Sequence, residues 1–258
     1  MSELALQIIA GNKKTKGKTL DLGNCGLTEL PEEVLDCIWL EELILSGQWI
    51  EYYLTPINFE VGISRNGGKE NRINYLPSSF SSLKLLKKVI IDHNNISDLS
   101  PISDLQNLCF LCCGSNQITD LSPIAKLTKL RTLQCGSNQI SDLSSISQLI
   151  QVEHLNFYSN QISDLSPISR LTNLKDFSIG LNPIRDFSPL DQLPDLRILH
   201  CNGVKADFSI VSRFYGLNIL SISSCDISDL SEIAKLANLG YLDCSWNQIV
   251  YRSNKETG

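Results

Sequence analysis

The chain has 258 residues, 42% apolar and 19% charged, a profile of folded globular protein and not of a disordered one. Its 28 acidic and 22 basic side chains leave a formal charge of −6, which argues against a general nucleic-acid footprint. No apolar run approaches the about 18 residues that a membrane-crossing helix needs, so no membrane partner is expected.

The opening MSELALQIIAGNKK has no basic lead, no continuous apolar stretch and no small-residue cleavage site, and does not read as a secretion signal. Ser2 suits an N-cap, and Leu4, Ile8 and Ile9 fall at helical spacing. A helix over residues 2–11 is predicted, within an N-terminal cap of residues 1–18. Lys13, Lys14, Lys16 and Lys18 follow and read as a solvated face. Leu20, Leu22, Cys25, Leu27, Leu30 and Pro31 then form one unit, and Leu40, Leu43, Leu45, Gln48 and Ile50 a second.

Residues 49–72 break the pattern. Continuing it would put Asn66 and Gly68 on core strand positions, where neither builds a core. The stretch is therefore read as an insertion in the second unit, with a turn-like NGG at 66–68. Trp49, Tyr52, Tyr53 and Phe59 predict that it packs down, and an insertion of this length in a compact fold is often functional. The pattern resumes at Asn71, Ile73, Leu76 and Pro77.

From there the repeat is regular. Asn94, Asn116, Asn138, Asn160 and Asn182 stand 22 residues apart, each followed two residues later by Ile96, Ile118, Ile140, Ile162 and Ile184. Val89, Leu111, Leu133, Leu155 and Phe177 lie five before them; Ile91, Cys113, Cys135, Phe157 and Ile179 lie three before. The unit LxxLxLxxNxIxDLSPIxxL is the leucine-rich-repeat signature. LxLxx alternates faces, so each unit opens with a short strand whose two apolar residues point inward. A stacked Asn column would satisfy backbone groups at the turn. Ser100-Pro101, Ser122-Pro123, Ser166-Pro167 and Ser188-Pro189 suit helix starts with serine as cap, so short helical or 3₁₀ turns are expected opposite the strands, with Ile102, Ile124, Ile146 and Ile168 inward. Later units carry Val204 and Cys225 in the Asn position, and Leu239, Leu242, Cys244 and Asn247 form the last. Ten strand positions result: two early and eight from Val89 to Leu242.

The predicted fold is an α/β solenoid: a leucine-rich-repeat horseshoe with a parallel concave sheet, 3₁₀ or short helices on the convex side and an N-terminal capping helix. The solenoid spans 19–250 and a frayed tail 251–258. No C-terminal cap is legible, so either the last rung is partly open or the chain continues in something longer.

The chemistry-bearing residues are absorbed by the repeat. His154 and His200 fall two rungs apart, roughly 10 Å, too far for one metal. Cys113, Cys135, Cys201 and Cys244 occupy core positions, where a free thiol behaves as a small hydrophobe, while Cys112 should point outward as the most exposed thiol. Nine cysteines without framework spacing read as reduced thiols of a cytoplasmic protein. No nucleophile triad or phosphate loop is present, and the aspartates of the SDLS motif read as turn residues. No catalysis, cofactor or metal is expected.

What remains is the outward face of the sheet. One column is Lys88, Phe110, Thr132, His154, Asp176, Ile198, Ile219 and Tyr241; the next is Ile90, Cys112, Gln134, Asn156, Ser178, His200, Ser221 and Asp243. Tyr158 and Trp246 lie just beyond the strands. Outward apolar and aromatic residues (Phe110, Tyr158, Ile198, Ile219, Tyr241, Trp246) are the usual anchors of protein interfaces. With Cys112, Gln134, His154, Asn156, Asp176, Ser178, His200 and Asp243 they make the candidate partner-binding set. Eight strands give a strip on the order of 35 Å, suited to a protein or an extended peptide.

The repeat resembles the 22-residue class of bacterial internalins and of the leucine-rich regulatory subunit of type-1 protein phosphatase, NQISDLSPI being close to the bacterial version. The opening ALQIIAGNKKTKGKTLDLGNCGLTELPEEV, with the insertion ending NRINYLP, is similar to leucine-rich proteins related to the Roco family, whose repeats precede a Ras-like GTPase. The chain lacks the GxxxxGK[ST] loop, so no GTPase activity is carried over. What the resemblance implies is binding through the concave face: as an interaction scaffold or, alternatively, as the detached sensor part of a Roco-type protein or an internalin-like exported binder.

Overall fold

A computed structural model describes residues 2–55 and 58–249, the side chains of 51–60 excepted. The predicted tail at 251–258 lies outside the described residues, as do the side chains of Tyr52, Tyr53 and Phe59.

Helix α1 (Glu3–Thr15) starts at Ser2, whose hydroxyl accepts from the Ala5 N–H at 3.4 Å, and ends at Lys16 in the left-handed region. It is longer than predicted, and its inner face is Ala5 and Ile9 with Ile8 partly buried, while Leu4 is exposed. Contacts at its C-terminal end tie it to the first rungs. Asn12 accepts from the Trp39 indole N–H at 2.9 Å and donates to the Gly17 and Thr19 carbonyls, each at 3.0 Å. Three of the lysines in and after its last turn have partners within the chain: Lys13 with Asp36, Lys18 with Glu41, and Lys16 over the Trp39 ring at 3.4 Å.

Ten strands form one parallel sheet. Two come early: β1 (Thr19–Asp21) and β2 (Glu42–Ile44). Strands β3 (Gln48–Thr55) and β4 (Asn58–Ile63) form a separate antiparallel hairpin. The sheet continues with β5 (Lys88–Ile90), β6 (Phe110–Cys112), β7 (Thr132–Gln134), β8 (His154–Asn156), β9 (Asp176–Ser178), β10 (Ile198–His200), β11 (Ile219–Ser221) and β12 (Tyr241–Asp243). Each contributes three residues because only the LxL segment keeps period-two alternation before the chain turns. The middle residues, Val89, Leu111, Leu133, Leu155, Phe177, Leu199 and Leu220, stack in register and are at most 2% exposed. One rung cannot bury this face alone, so stacking neighbours makes the core.

The Asn column ties the rungs together. Asn116 accepts from the Ile96 N–H and donates to the Ile91, Cys113 and Gly114 carbonyls, all between 2.9 and 3.1 Å. Asn138, Asn160 and Asn182 repeat this set on their own neighbours. Asn71 holds the same place for the second rung, accepting from the Cys25 and Leu27 N–H groups and donating to the Leu22 and Leu45 carbonyls. The insertion therefore leaves the second rung after Leu45 and returns at Asn71. At Cys225 the thiol takes part of the Asn role, donating to the Cys201 carbonyl at 3.2 Å.

Opposite the strands run 3₁₀ turns such as Ser100–Ile102 and Ser122–Ile124, their isoleucines fully buried. The cap differs from expectation: the serine side chain does not close the turn. Asp98, Asp120, Asp142, Asp164 and Asp186 each accept from the N–H of the serine two residues on, at 2.7–2.8 Å. The repeated aspartate is the turn residue because its carboxylate reaches that orphan donor with the shorter loop. The glycines at 136 and 180 serve close approach, not an unusual backbone angle. A Cβ at Gly180 would stand 2.7 Å from the Asn202 carbonyl; the left-handed residues are the next ones, Ser137 and Leu181.

Candidate functional site

The outward columns have the register read from the repeat. Lys88, Phe110, Thr132, His154, Asp176, Ile198, Ile219 and Tyr241 stand opposite one another strand by strand. Ile90, Cys112, Gln134, Asn156, Ser178, His200, Ser221 and Asp243 do the same.

Accessibility divides this face. The hairpin folds back over its N-terminal part, where Trp49 packs with Ile44, Ile90, Phe110 and Cys112 into a second apolar cluster. Gly62 permits this: a Cβ there would lie 2.0 Å from the indole, so only glycine lets β4 back onto Trp49. Lys88 completes the cover, its ammonium 4.7 Å from the Phe110 ring centre and 5.8 Å from that of Trp49. Of the four aromatic residues expected to hold the insertion down, Trp49 does so on the concave sheet; the side chains of Tyr52, Tyr53 and Phe59 lie outside the described residues.

Two expectations are corrected as a result. Cys112 is not the exposed thiol: it is fully buried, with the Ile50 carbonyl of the hairpin 3.7 Å from its sulfur, and burial pushes its pKa well up. The half-exposed thiols are Cys109 and Cys244. Phe110, expected as an interface anchor, is 7% exposed because Trp49 and Lys88 cover it. Alternation along the strand set the direction of both side chains correctly; the cover comes from a segment about 60 residues away in the chain.

At β7 and β8 the hairpin edge still stands over the sheet, where Trp49 and Val61 share a cavity with Gln134 and Asn156. Gln134, Asn156, Asp176, Ser178, His200 and Ile219 are at most 9% exposed. His154, Ile198, Tyr241 and Asp243 are half-buried. Tyr158 is 38% exposed and Trp246 87%. Among the polar members, His154 Nδ1 lies 3.8 Å from the Asp176 carboxylate, whose other oxygen is buried with no hydrogen-bond partner among the described residues. Burial holds the His200 pKa below the usual value against the pull of Asp176 and Asp243. Burial also acts upward on Asp243, but donors from Ser245 and Ser221 outweigh it and hold that carboxyl low.

One residue at the hairpin edge was not singled out from the repeat. Asp92 follows β5 at the start of the turn and is 6% exposed. Its carboxylate accepts from the Gly114 N–H, and burial pushes its pKa up to about 7. Gly, Tyr and Asn occupy the equivalent places on later rungs, at 136, 158 and 202, and an acid there was the signal available.

Parallel three-residue strands, an asparagine column and 3₁₀ turns on the far side define a leucine-rich-repeat solenoid. The family model for paired leucine-rich repeats matches residues 106–148 and 150–192. The chain is a leucine-rich-repeat protein, similar in structure to bacterial internalins. An internalin of Listeria monocytogenes, InlF, superposes with a TM-score of 0.80 at 28% identity, over 96% of this chain and 70% of that one. Internalin C2 of the same organism is 30% identical over 67% of this chain and 77% of its own, with a TM-score of 0.64. A leucine-rich-repeat protein of Leptospira interrogans gives 0.74 at 25% identity, over 90% of this chain and 56% of that one. A search of curated protein sequences finds no match. Proteins of this fold generally serve as protein-interaction scaffolds.

Proposed function

We propose that the chain is a non-catalytic scaffold that holds a protein or extended peptide along the open concave face from β7 to β12. The observation that carries this reading is the division of the sheet. The hairpin buries the outward apolar residues of the first rungs, whereas Tyr158, Ile198, Tyr241 and Trp246 stay reachable beside polar His154 and Asp243. Aromatic anchors among polar neighbours are what protein interfaces select. The likeness to internalins supports a binding role.

The test is photo-crosslinking in extracts of the native organism. A benzophenone amino acid is placed at Tyr158 or Tyr241 on the concave side and at Ile150 or Tyr215 elsewhere. The expected result is a discrete adduct from the concave positions alone, lost in the Trp246→Ala and Ile198→Asp variants. Adducts only from Ile150 or Tyr215 would move the interface off the sheet and sink the reading.

We further propose a cytoplasmic setting, since the cysteines follow no disulfide-framework spacing and seven of the nine are buried, where a reduced thiol acts as a small hydrophobe. Cys113 and Cys135 on adjacent rungs lie with their sulfurs 2.9 Å apart, so this pair reports the compartment. Mass spectrometry of protein from native cells should find nine free thiols. A Cys113–Cys135 disulfide would instead favour the exported, internalin-like alternative.

A further inference from the structure

Between the hairpin edge and the sheet lies a cavity of about 330 Å³. Trp49 and Val61 line it from the hairpin, Asp92, Gln134 and Asn156 from the rungs, and Tyr158 from the turn after β8. Three of its polar side chains, Asp92, Gln134 and Asn156, are at most 7% exposed. The Gln134 carboxamide oxygen is buried and, among the described residues, accepts no hydrogen bond. An acceptor in that state marks a place where a donor is missing; the Trp49 indole N–H, buried in the same lining without a partner among the described residues, marks one where an acceptor is missing.

The lining states which donor. Asp92 supplies a carboxylate that burial disfavours, and among the described residues that line the cavity His93 is the only basic one. The Trp49 and Tyr158 rings give aromatic surface, which also favours a cation. A neutral donor would satisfy Gln134 and leave the Asp92 charge uncompensated. An anion would be repelled by it, and an apolar group would leave both acceptors unmet.

We propose that this cavity receives a basic side chain, an alkylammonium or guanidinium on a flexible stem, from the chain of the bound partner. The assignment rests on the concave-face reading above. It adds a defined anchor: the cavity takes the charged head, and the strip from β7 onward takes the rest of the partner. Asp92 pairs with the head, Gln134 accepts one of its N–H donors, a main-chain carbonyl of the same partner accepts from the Trp49 indole N–H, and the aromatic surfaces hold the stem.

The probe is N-α-acetyl-L-lysine amide, compared with the same molecule acetylated at its ε-nitrogen, which keeps the stem and removes the charge. Binding is read from the Trp49 indole ¹H–¹⁵N resonance, identified with Trp49→Phe. The expected result is a saturable shift with the cationic probe and none with the neutral one. Asp92→Asn retains an oxygen for the Gly114 N–H and should weaken binding about tenfold or more. Gln134→Leu, close in volume, should weaken it as well. Equal binding of both probes, an unchanged affinity in Asp92→Asn, or no saturable shift would overturn the proposal. If the probe fails while crosslinks still come from Tyr241, the anchor falls and the concave reading stands. Probe binding with crosslinks only from Ile150 or Tyr215 would overturn the assignment to a partner's chain.

Discussion

Asp92 and the asparagine column are opposite solutions to the same problem, a polar group inside a stack of apolar rungs. Each asparagine is neutral and fully bonded, so its burial is offset. Asp92 is charged in water but buried here, and its carboxyl is pushed up to about 7 from the ordinary 3.8. The folded state therefore resists an ionisation that the unfolded chain undergoes readily. Stability is full below about pH 4, where both states are protonated, and falls as pH rises through the folded value. Replacing Asp92 by Asn should thus stabilise the protein at pH 8, by up to on the order of 4 kcal/mol for a shift of about three units, and do little at pH 4. Urea denaturation at the two pH values checks the sign; an equal effect at both would rule out ionisation as the cause. Asn138 predicts the reverse behaviour. Alanine there removes the acceptor of the Ile118 N–H and the donor to the Cys113 and Cys135 carbonyls. A loss on the order of 3 kcal/mol is expected at any pH, measured in the same way.

At the scale of elements, the hairpin decides how much of the sheet is available. Its seat depends on Gly62, because any larger residue would run into the Trp49 indole. Gly62→Ala should lift the hairpin and leave the ten-stranded sheet intact, since β3 and β4 form a two-stranded sheet of their own. The readout is thiol labelling with a maleimide. In the native protein Cys109 and Cys244 should react and Cys112 should not; in Gly62→Ala, Cys112 should join them while the circular dichroism spectrum is unchanged. Unchanged protection of Cys112 would mean that something other than the hairpin seals it. The strands themselves were legible one by one. LxL marks each strand and its direction of burial, and the asparagine three residues later marks each turn. The closure of the 3₁₀ turns was less so. Ser-Pro suggested a serine cap, but the aspartate two residues before the serine makes the bond, and a sequence offering both groups does not say which will reach.

Over the whole molecule, each rung packs on its two neighbours alone, so damage should spread by adjacency. Leu155 is 2% exposed between Leu133 and Phe177. Leu155→Asp buries an unpaired charge in that column, a cost of several kcal/mol. Hydrogen exchange should accelerate first in β7, β8 and β9, and later in α1 and β1. Simultaneous loss of protection across the chain would show a single cooperative block instead. The same arrangement explains the shape of the candidate site. A continuous strip of outward side chains follows from stacking, and its length follows from the number of rungs that the hairpin leaves open.

The 22-residue recurrence by itself determined the rungs, the order and register of the ten sheet strands, and which side chains face the core. These depend on period-two alternation and on each unit meeting its like, both local in the chain. Only the tertiary structure decided which outward residues can be reached. The hairpin's seat is made by Trp49 meeting Ile90, Phe110 and Cys112 on rungs that come later in the sequence. No local period encodes where an insertion lands, because that is chosen by the apolar surface it can cover once the rungs are stacked.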